Sequence, residues 1–272
     1  MTAISTIRHQ PIFDPSEYGD IPLHVIGVGA TGSHLVMSLV ELGFKNITFY
    51  DDDKIEGHNL ANQAYNANQV GMYKVTALNQ LIKAKLGGMP ENIKGRKRRI
   101  TAESRGFDYG IVFLLTDTME SRKEIGQILD TSVYVIETRM ASTHGNVLGF
   151  NPLIELTEWH KTLSNDEDTE VSSCGASISV GPTAKIIANL AVWHLINYLT
   201  CKEATEKQTN IFLKPLAIHN GDFEYVQEEQ TSTNAEQVPA TPEWDTVQVR
   251  DISELRGEYF YYDDPDPQTI PI

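Results

Sequence analysis

The sequence predicts an α/β protein: a Rossmann-like mixed sheet flanked by helices, followed by an acidic C-terminal extension. Three observations predict it. A short apolar run at residues 23–26 leads straight into a glycine turn, Gly27, Gly29 and Gly32. Apolar residues then recur at helical spacing over residues 34–42, and Gly43 closes that helix. A second short run, residues 46–50, ends in Asp51, Asp52 and Asp53. Strand, glycine turn, helix, strand and acidic end is the order in which a βαβ nucleotide site is built.

Each part has its own physical reason. Gly27 permits the tight turn, Gly29 lets a phosphate approach the backbone, and Gly32 lets helix and strand pack closely. Ala30 and Thr31 complete the turn at a helix N-terminus, whose free N–H groups and positive dipole end suit an anion. Asp51 follows Gly32 by 19 residues, near the spacing of a carboxylate that grips a ribose hydroxyl. The competing reading is an ordinary tight turn between a strand and a helix.

Length and composition set the frame. The 272 residues, 40% apolar, suit one large domain plus an extension. The boundaries read as an arm at residues 1–20, a nucleotide-binding domain at 21–226, and an acidic linker and tail at 227–272. The formal charge of −15 argues against broad binding to nucleic acid or to anionic membranes. From Asp222 onward there are 13 acidic residues against Arg250 and Arg256, a net of −11, which leaves −4 for the rest. Two cysteines, Cys174 and Cys201, make no disulfide framework and no zinc pair, so a reducing cytoplasm is the expected setting. The N-terminal stretch has no apolar signal core, and no run approaches the length of a membrane span.

Along the chain, Pro11, Pro15 and Gly19 break any regular element in the arm, and Arg8 is its only Lys or Arg. The arm is either a solvated terminus or a segment that reaches over a neighbour or an active site. Residues 74–86 read as a helix stopped by Gly87, with Lys74 in its first turn. A cation opposes the dipole there, so Lys74 either meets an anion or faces solvent. Residues 93–100 hold Lys94, Arg96, Lys97, Arg98 and Arg99 between two isoleucines, which reads as a charged edge strand or as a docking patch for an acidic partner or for the chain's own acidic tail. Without interleaved aromatic residues, nucleic acid is the weaker reading.

Residues 107–115 form a continuous apolar run of strand length, as in a buried parallel strand. Asp117 follows at its carboxyl end, where it can reach metal or phosphate, or cap the helix expected over residues 119–129. Strands are expected at 133–137 and 146–150, with Arg139 just beyond the first. Residues 158–170 read as a mobile acidic loop, residues 178–199 as a long helix, and 212–226 as a hairpin turning at 219–222. Cys174 lies just before the long helix, either as an acyl-transfer nucleophile or as a buried cysteine. Cys201, in the polar end of that helix, reads as structural.

From Asp51 onward the residues resemble a known family. The run 51–63, DDDKIEGHNLANQ, is similar to the DxDxVExSNLxRQ signature of the ubiquitin-activating-enzyme superfamily, the ThiF/MoeB/HesA-type adenylyltransferases. Asp51, Asp53, Glu56, Asn59, Leu60 and Gln63 match it. Gly71 and Lys74 match the family's GxxK, Asp117 and Arg122 its DnxxxR, and the run from Cys174 resembles the segment after its crossover loop. The resemblance covers roughly residues 20–200 and is nearest to ThiF-like proteins of phages and mobile elements. It implies an adenylation domain that uses ATP and Mg²⁺ to activate a carboxylate, typically the C-terminus of a ubiquitin-like protein or peptide. It also implies a homodimer. By carry-over Asp51 holds the ribose, Asn59 and Lys74 approach the phosphates, and Asp117 holds the metal.

One position departs from the pattern. Asn62 stands where the family keeps an arginine that meets the phosphates. Arg139, or Arg8 supplied by a second subunit, is the expected substitute. Two further readings stay open: a catalytically silent scaffold that binds nucleotide or a partner, and adenylation of a small molecule or tRNA.

Overall fold

The computed structural model describes residues 4–107, 109–129, 134–163, 179–201 and 206–224. The chain runs α1 (Pro15–Tyr18), β1 (Leu23–Ile26), α2 (Ala30–Leu42), β2 (Ile47–Tyr50), two 3₁₀ turns (Gly57–Ala61 and Ala67–Gln69) and α3 (Lys74–Leu86). There follow β3 (Ile93–Arg96), β4 (Ile111–Leu114), α4 (Met119–Gly126), β5 (Tyr134–Met140), β6 (His144–Phe150), α5 (Pro152–His160), α6 (Gly181–Thr200), β7 (Gln208–Leu213) and β8 (Leu216–Gly221). None of these helices is long and apolar enough to cross a membrane.

All eight strands join one mixed sheet, in the order β3-β2-β1-β4-β5-β6-β7-β8. The first five in that order are parallel and the last three pairings are antiparallel. The split follows from the connections. Parallel neighbours need a crossover, whereas β5, β6, β7 and β8 include hairpin partners. Chain order places β2 on one side of β1 and β4 on the other, so the carboxyl ends of β1 and β4 flank the point where the topology reverses. Open α/β sheets bind ligands there.

The two faces are covered differently. Leu35, Val36 and Leu39 of α2 pack with Ile187, Ala188, Ala191 and Leu195 of α6 over one face. The small Ala188 and Ala191 allow close approach of these helices. On the other face Trp159 of α5 is fully buried and stacks on Phe150, ring centroids 5.0 Å apart. At β4 all four residues are buried, as a strand covered on both faces must be.

The structure corrects several boundaries. Helix α2 begins at Ala30 rather than at residue 34, so Gly32 lies inside it. Strand β4 is shorter than the apolar run, because Phe107 leaves the ladder to pack edge-on against His24 at 5.3 Å. Residues 158–160 belong to α5, not to a loop: Pro152 starts that helix, Asn151 caps it, and Trp159 anchors it. The polar neighbours of Trp159 hid its anchoring role. The hairpin turns at Lys214–Pro215, not at 219–222, since a proline without an N–H is unsuited to a paired strand interior. The arm is not simply solvated. Phe13 is 1% exposed and packs on Tyr18 and Phe44.

Candidate functional site

The glycine turn leaves β1 at Ile26, and its three glycines do different work. Gly27 has φ +92°, and a Cβ on it would come within 2.8 Å of the Leu115 carbonyl oxygen. A Cβ on Gly32 would lie 2.0 Å from the Gly27 carbonyl oxygen. The protein's own backbone requires both. Gly29 is the exception: a Cβ there would meet nothing within 4 Å. Its φ of −76° lies outside the left-handed region, and its bareness leaves room beside the turn. Helix α2 starts beside it with no side-chain cap and no acid in its first turn. Its first N–H groups lack intrahelical partners and open at the positive dipole end.

The acidic end of β2 is tied to this turn. The Asp51 carboxylate accepts the Val28 N–H through Oδ2 and the Asp53 N–H through Oδ1, each at 2.9 Å. Lys74, the first residue of α3 and 8% exposed, donates from Nζ to Asp53 Oδ2 at 2.7 Å and lies 3.9 Å from Asp51 Oδ1. Burial pushes the Asp51 carboxyl above its usual range, and the Lys74 charge and the two N–H donors oppose that rise. Lys74 is therefore a buried cation at a helix start, held by two carboxylates rather than by solvent.

Residues 59–65 fold over the first turn of α2. His34 Nε2 pairs with the Asn62 carbonyl at 3.2 Å, and the Ala64 N–H donates to Ser33 Oγ at 3.0 Å. Tyr65 donates its hydroxyl to the Val28 carbonyl at 2.7 Å, and burial raises its phenol well above the ordinary value. Asn59 accepts the Glu56 N–H at 2.9 Å and caps the first 3₁₀ turn. Against this stitching, Asn62 Oδ1 and Gln63 Oε1 are buried with no partner among the described residues, and so is Thr116 Oγ1. Thr116 follows Leu115, the residue against which Gly27 packs. A buried polar atom left unpaired costs about 1–3 kcal/mol, so three near one turn fit a site built to receive a polar ligand. An amide can present either its acceptor or its donors.

Asp117 stands exposed at the carboxyl end of β4. It is not the helix cap, because Thr118 takes that place with Oγ1 accepting the Ser121 N–H at 3.2 Å. Its carboxylate is thus left for other use. Asp51, Asp52 and Asp53 also bring oxygens within 4.8 Å of one another, and Lys74 pairs with Asp51 and Asp53 of that trio.

Arg139 is placed otherwise than a free phosphate-facing cation. It donates from Nε and Nη2 to the two oxygens of Glu137 at 2.8 and 2.9 Å. Nη1 and Nη2 also donate to the Thr162 carbonyl and hydroxyl, both at 2.7 Å. At least four of its five N–H donors are committed. Arg122 pairs with the same Glu137 at 2.8 Å, and Trp159 Nε1 donates to it. Although burial raises the Glu137 carboxyl, the Arg139 and Arg122 charges and these donors outweigh it and hold the carboxyl below its usual range. The DnxxxR arginine thus ties α4 to β5.

Arg8 is exposed in the arm, whose next residue, His9, pairs through Nε2 with the Leu42 carbonyl at 3.1 Å. That is the far end of α2, roughly 20 Å from the glycine turn at 1.5 Å rise per residue. Cys174 lies outside the described residues. Cys201 is exposed, not buried in the helix end. Of the residues that hold the turn together, Tyr65 carries no motif signal, and the sequence does not announce Glu137 as the partner of two arginines.

The architecture first defines the class: a Rossmann-like α/β domain with a glycine turn and an uncapped helix start at its topological switch point. The chain belongs to the ThiF family, which matches residues 20–237. A search of curated proteins finds no match. Among solved structures, PaaA superposes with a TM-score of 0.61 at 14% identity, over 82% of this chain and 75% of that one. Escherichia coli MccB with ATP gives 0.58 at 13%, over 79% and 69%. The microcin C7 biosynthetic enzyme MccB in complex with N-formylated MccA gives 0.60 at 14%, over 80% and 71%. At such identity these likenesses speak for the fold.

Proposed function

We propose that this chain binds ATP at the glycine turn and adenylates a carboxylate, the C-terminus of a peptide or ubiquitin-like acceptor. The observation that carries the reading is the open space at Gly29 beside the uncapped start of α2, together with the unpartnered amide oxygens of Asn62 and Gln63 in the segment that folds over that helix turn. Family membership supports the chemistry, and the neighbour MccB is described with ATP and with MccA. Adenylation asks for neutralised polyphosphate charge and in-line geometry and for little covalent work by the protein. Asp51 would take the ribose. The N–H groups of residues 30–32, with Asn59, Asn62 and Gln63, would take the phosphates. Lys74 would shift from Asp53 to a phosphate when the anion arrives.

Asp117 is the residue that would hold Mg²⁺, since its carboxylate is not spent on capping and its neighbour Thr116 has an unpaired hydroxyl. The metal would supply further charge neutralisation on the polyphosphate. Arg8 cannot serve its own turn from the far end of α2, so its use would require a second copy of the chain. Mixing Arg8→Ala with Lys74→Ala protein tests this: activity restored only in the mixture supports a shared site, and none restored removes Arg8 from it.

A scaffold is the second reading. Asn62 in place of a cation and the commitment of Arg139 to Glu137 favour it. ATP–pyrophosphate exchange decides between the two. Exchange that depends on an added acceptor supports adenylation. ATP binding without exchange under any condition supports the scaffold.

A further inference from the structure

Strand β3 is the outermost strand of the sheet, paired only with β2 among the described residues. The Ile47 N–H donates to the Asn92 carbonyl at 3.1 Å and the Asp51 N–H to the Arg96 carbonyl at 3.3 Å. Even-numbered residues therefore turn their backbone towards β2, and Gly95 and Lys97 turn theirs outward. The side chains on this edge are cationic. Lys94, Arg96, Lys97, Arg98 and Arg99 are all exposed, and among the described residues none forms an ion pair.

The cations wrap both sides of the edge. Arg96 and Arg98 lie close enough to Tyr50 to act on its phenol. Lys97 Nζ sits 3.6 Å above the Tyr73 ring and Lys54 Nζ 5.2 Å from it. Tyr73 directly precedes Lys74, so the rim adjoins the nucleotide turn. The four residues of β3 make the paired part of the rim about 13 Å long.

We propose that this rim is a docking edge for an extended acidic segment of the acceptor polypeptide, laid beside β3. The proposal rests on the reading that the acceptor is a polypeptide. Two properties of the rim select the occupant. Its outward N–H and C=O groups can be paired by another polypeptide strand, which a nucleic acid cannot supply. Its charges meet carboxylates on alternate positions of such a strand and repel a second copy of β3.

The test uses the full chain and three labelled probes of equal charge: an alternating Glu-Val decapeptide, the same peptide N-methylated at alternate amides, and a short oligothymidylate. The unmodified peptide should bind, should weaken about tenfold or more with Arg98→Glu/Arg99→Glu, and should not change with the control Lys45→Glu/Lys83→Glu. N-methylation should weaken it similarly. Equal loss in the control, no effect of N-methylation, stronger binding of the oligonucleotide, or no peptide binding each overturns the proposal. ATP affinity measured on the same proteins separates the two readings. Lost peptide binding with unchanged ATP affinity concerns the rim alone, and absent ATP binding with peptide binding kept overturns the adenylation reading alone.

Discussion

Two charged clusters sit at the carboxyl side of one sheet, and they are built to opposite ends. At β2, Lys74 faces Asp51 and Asp53 at the mouth of a turn with open space, an uncapped helix and unpaired amides. At β5, Glu137 is 0% exposed and receives Arg139, Arg122 and Trp159. The first cluster can exchange its partners for a ligand. The second is closed and fastens α4, β5 and α5. Similar residue types thus serve binding where the shell is left incomplete and architecture where it is filled.

The contrast breaks first at Glu137. Glu137→Gln leaves two buried guanidinium groups short of a countercharge, and unfolding should show a loss of about 3–5 kcal/mol. A thermal or denaturant midpoint close to the parent's would overturn the closed reading. Arg139→Ala should likewise lower stability. Lost exchange at unchanged stability would instead return Arg139 to the phosphates.

Next in size is the pH response on the β5 side. His194 of α6 is 7% exposed and pairs with the Tyr134 hydroxyl at 3.0 Å, and burial lowers its pKa to about 4. The unfolded chain takes up a proton near pH 6.5, before the folded one does. Stability from this residue is therefore whole above 6.5 and is lost as pH falls from 6.5 towards 4, on the order of 3 kcal/mol in all. Denaturation curves across that window should flatten in His194→Gln.

The β2 side should respond in function rather than in folding. Lys74→Ala should lower ATP–pyrophosphate exchange by about a hundredfold, near 2.7 kcal/mol, with a small change in midpoint. The smallest effect sharpens the comparison most. Gly29→Ala should cost far less stability than Gly32→Ala and weaken nucleotide binding about tenfold, because its Cβ enters empty space. Gly32→Ala should unfold the chain instead, since its Cβ meets backbone at 2.0 Å. Equal effects from both alanines would show that Gly29 is only a turn residue.

Legibility followed locality. The turn Gly27–Gly32, the helix Lys74–Leu86 and the edge strand at Ile93 were readable because spacing and punctuation within a few residues encode them. Helix α5 was not, since Pro152 and Asn151 signal its start but the acidic residues after Trp159 resemble a loop. The hairpin turn at Pro215 was missed because the apolar residues Leu216 and Ile218 looked like a continuation of the strand. For the site, Asp51 and Lys74 were visible through their motifs. Tyr65 was not, since its partner Val28 is contributed by a segment more than 30 residues away.

By itself the sequence determined the βαβ unit, the position of the glycine turn, the acidic end of β2 and the family, because these depend on local backbone chemistry and short spacings. Only the tertiary structure decided which charges are free. Arg139 and Lys74 are both strand-end or helix-start cations in the sequence. Packing gives Arg139 a buried carboxylate and a threonine, and gives Lys74 the exposed Asp53 and the Asp51 that is tied to the glycine turn. The difference lies in which residues from distant segments fill the surroundings, and no local pattern records that.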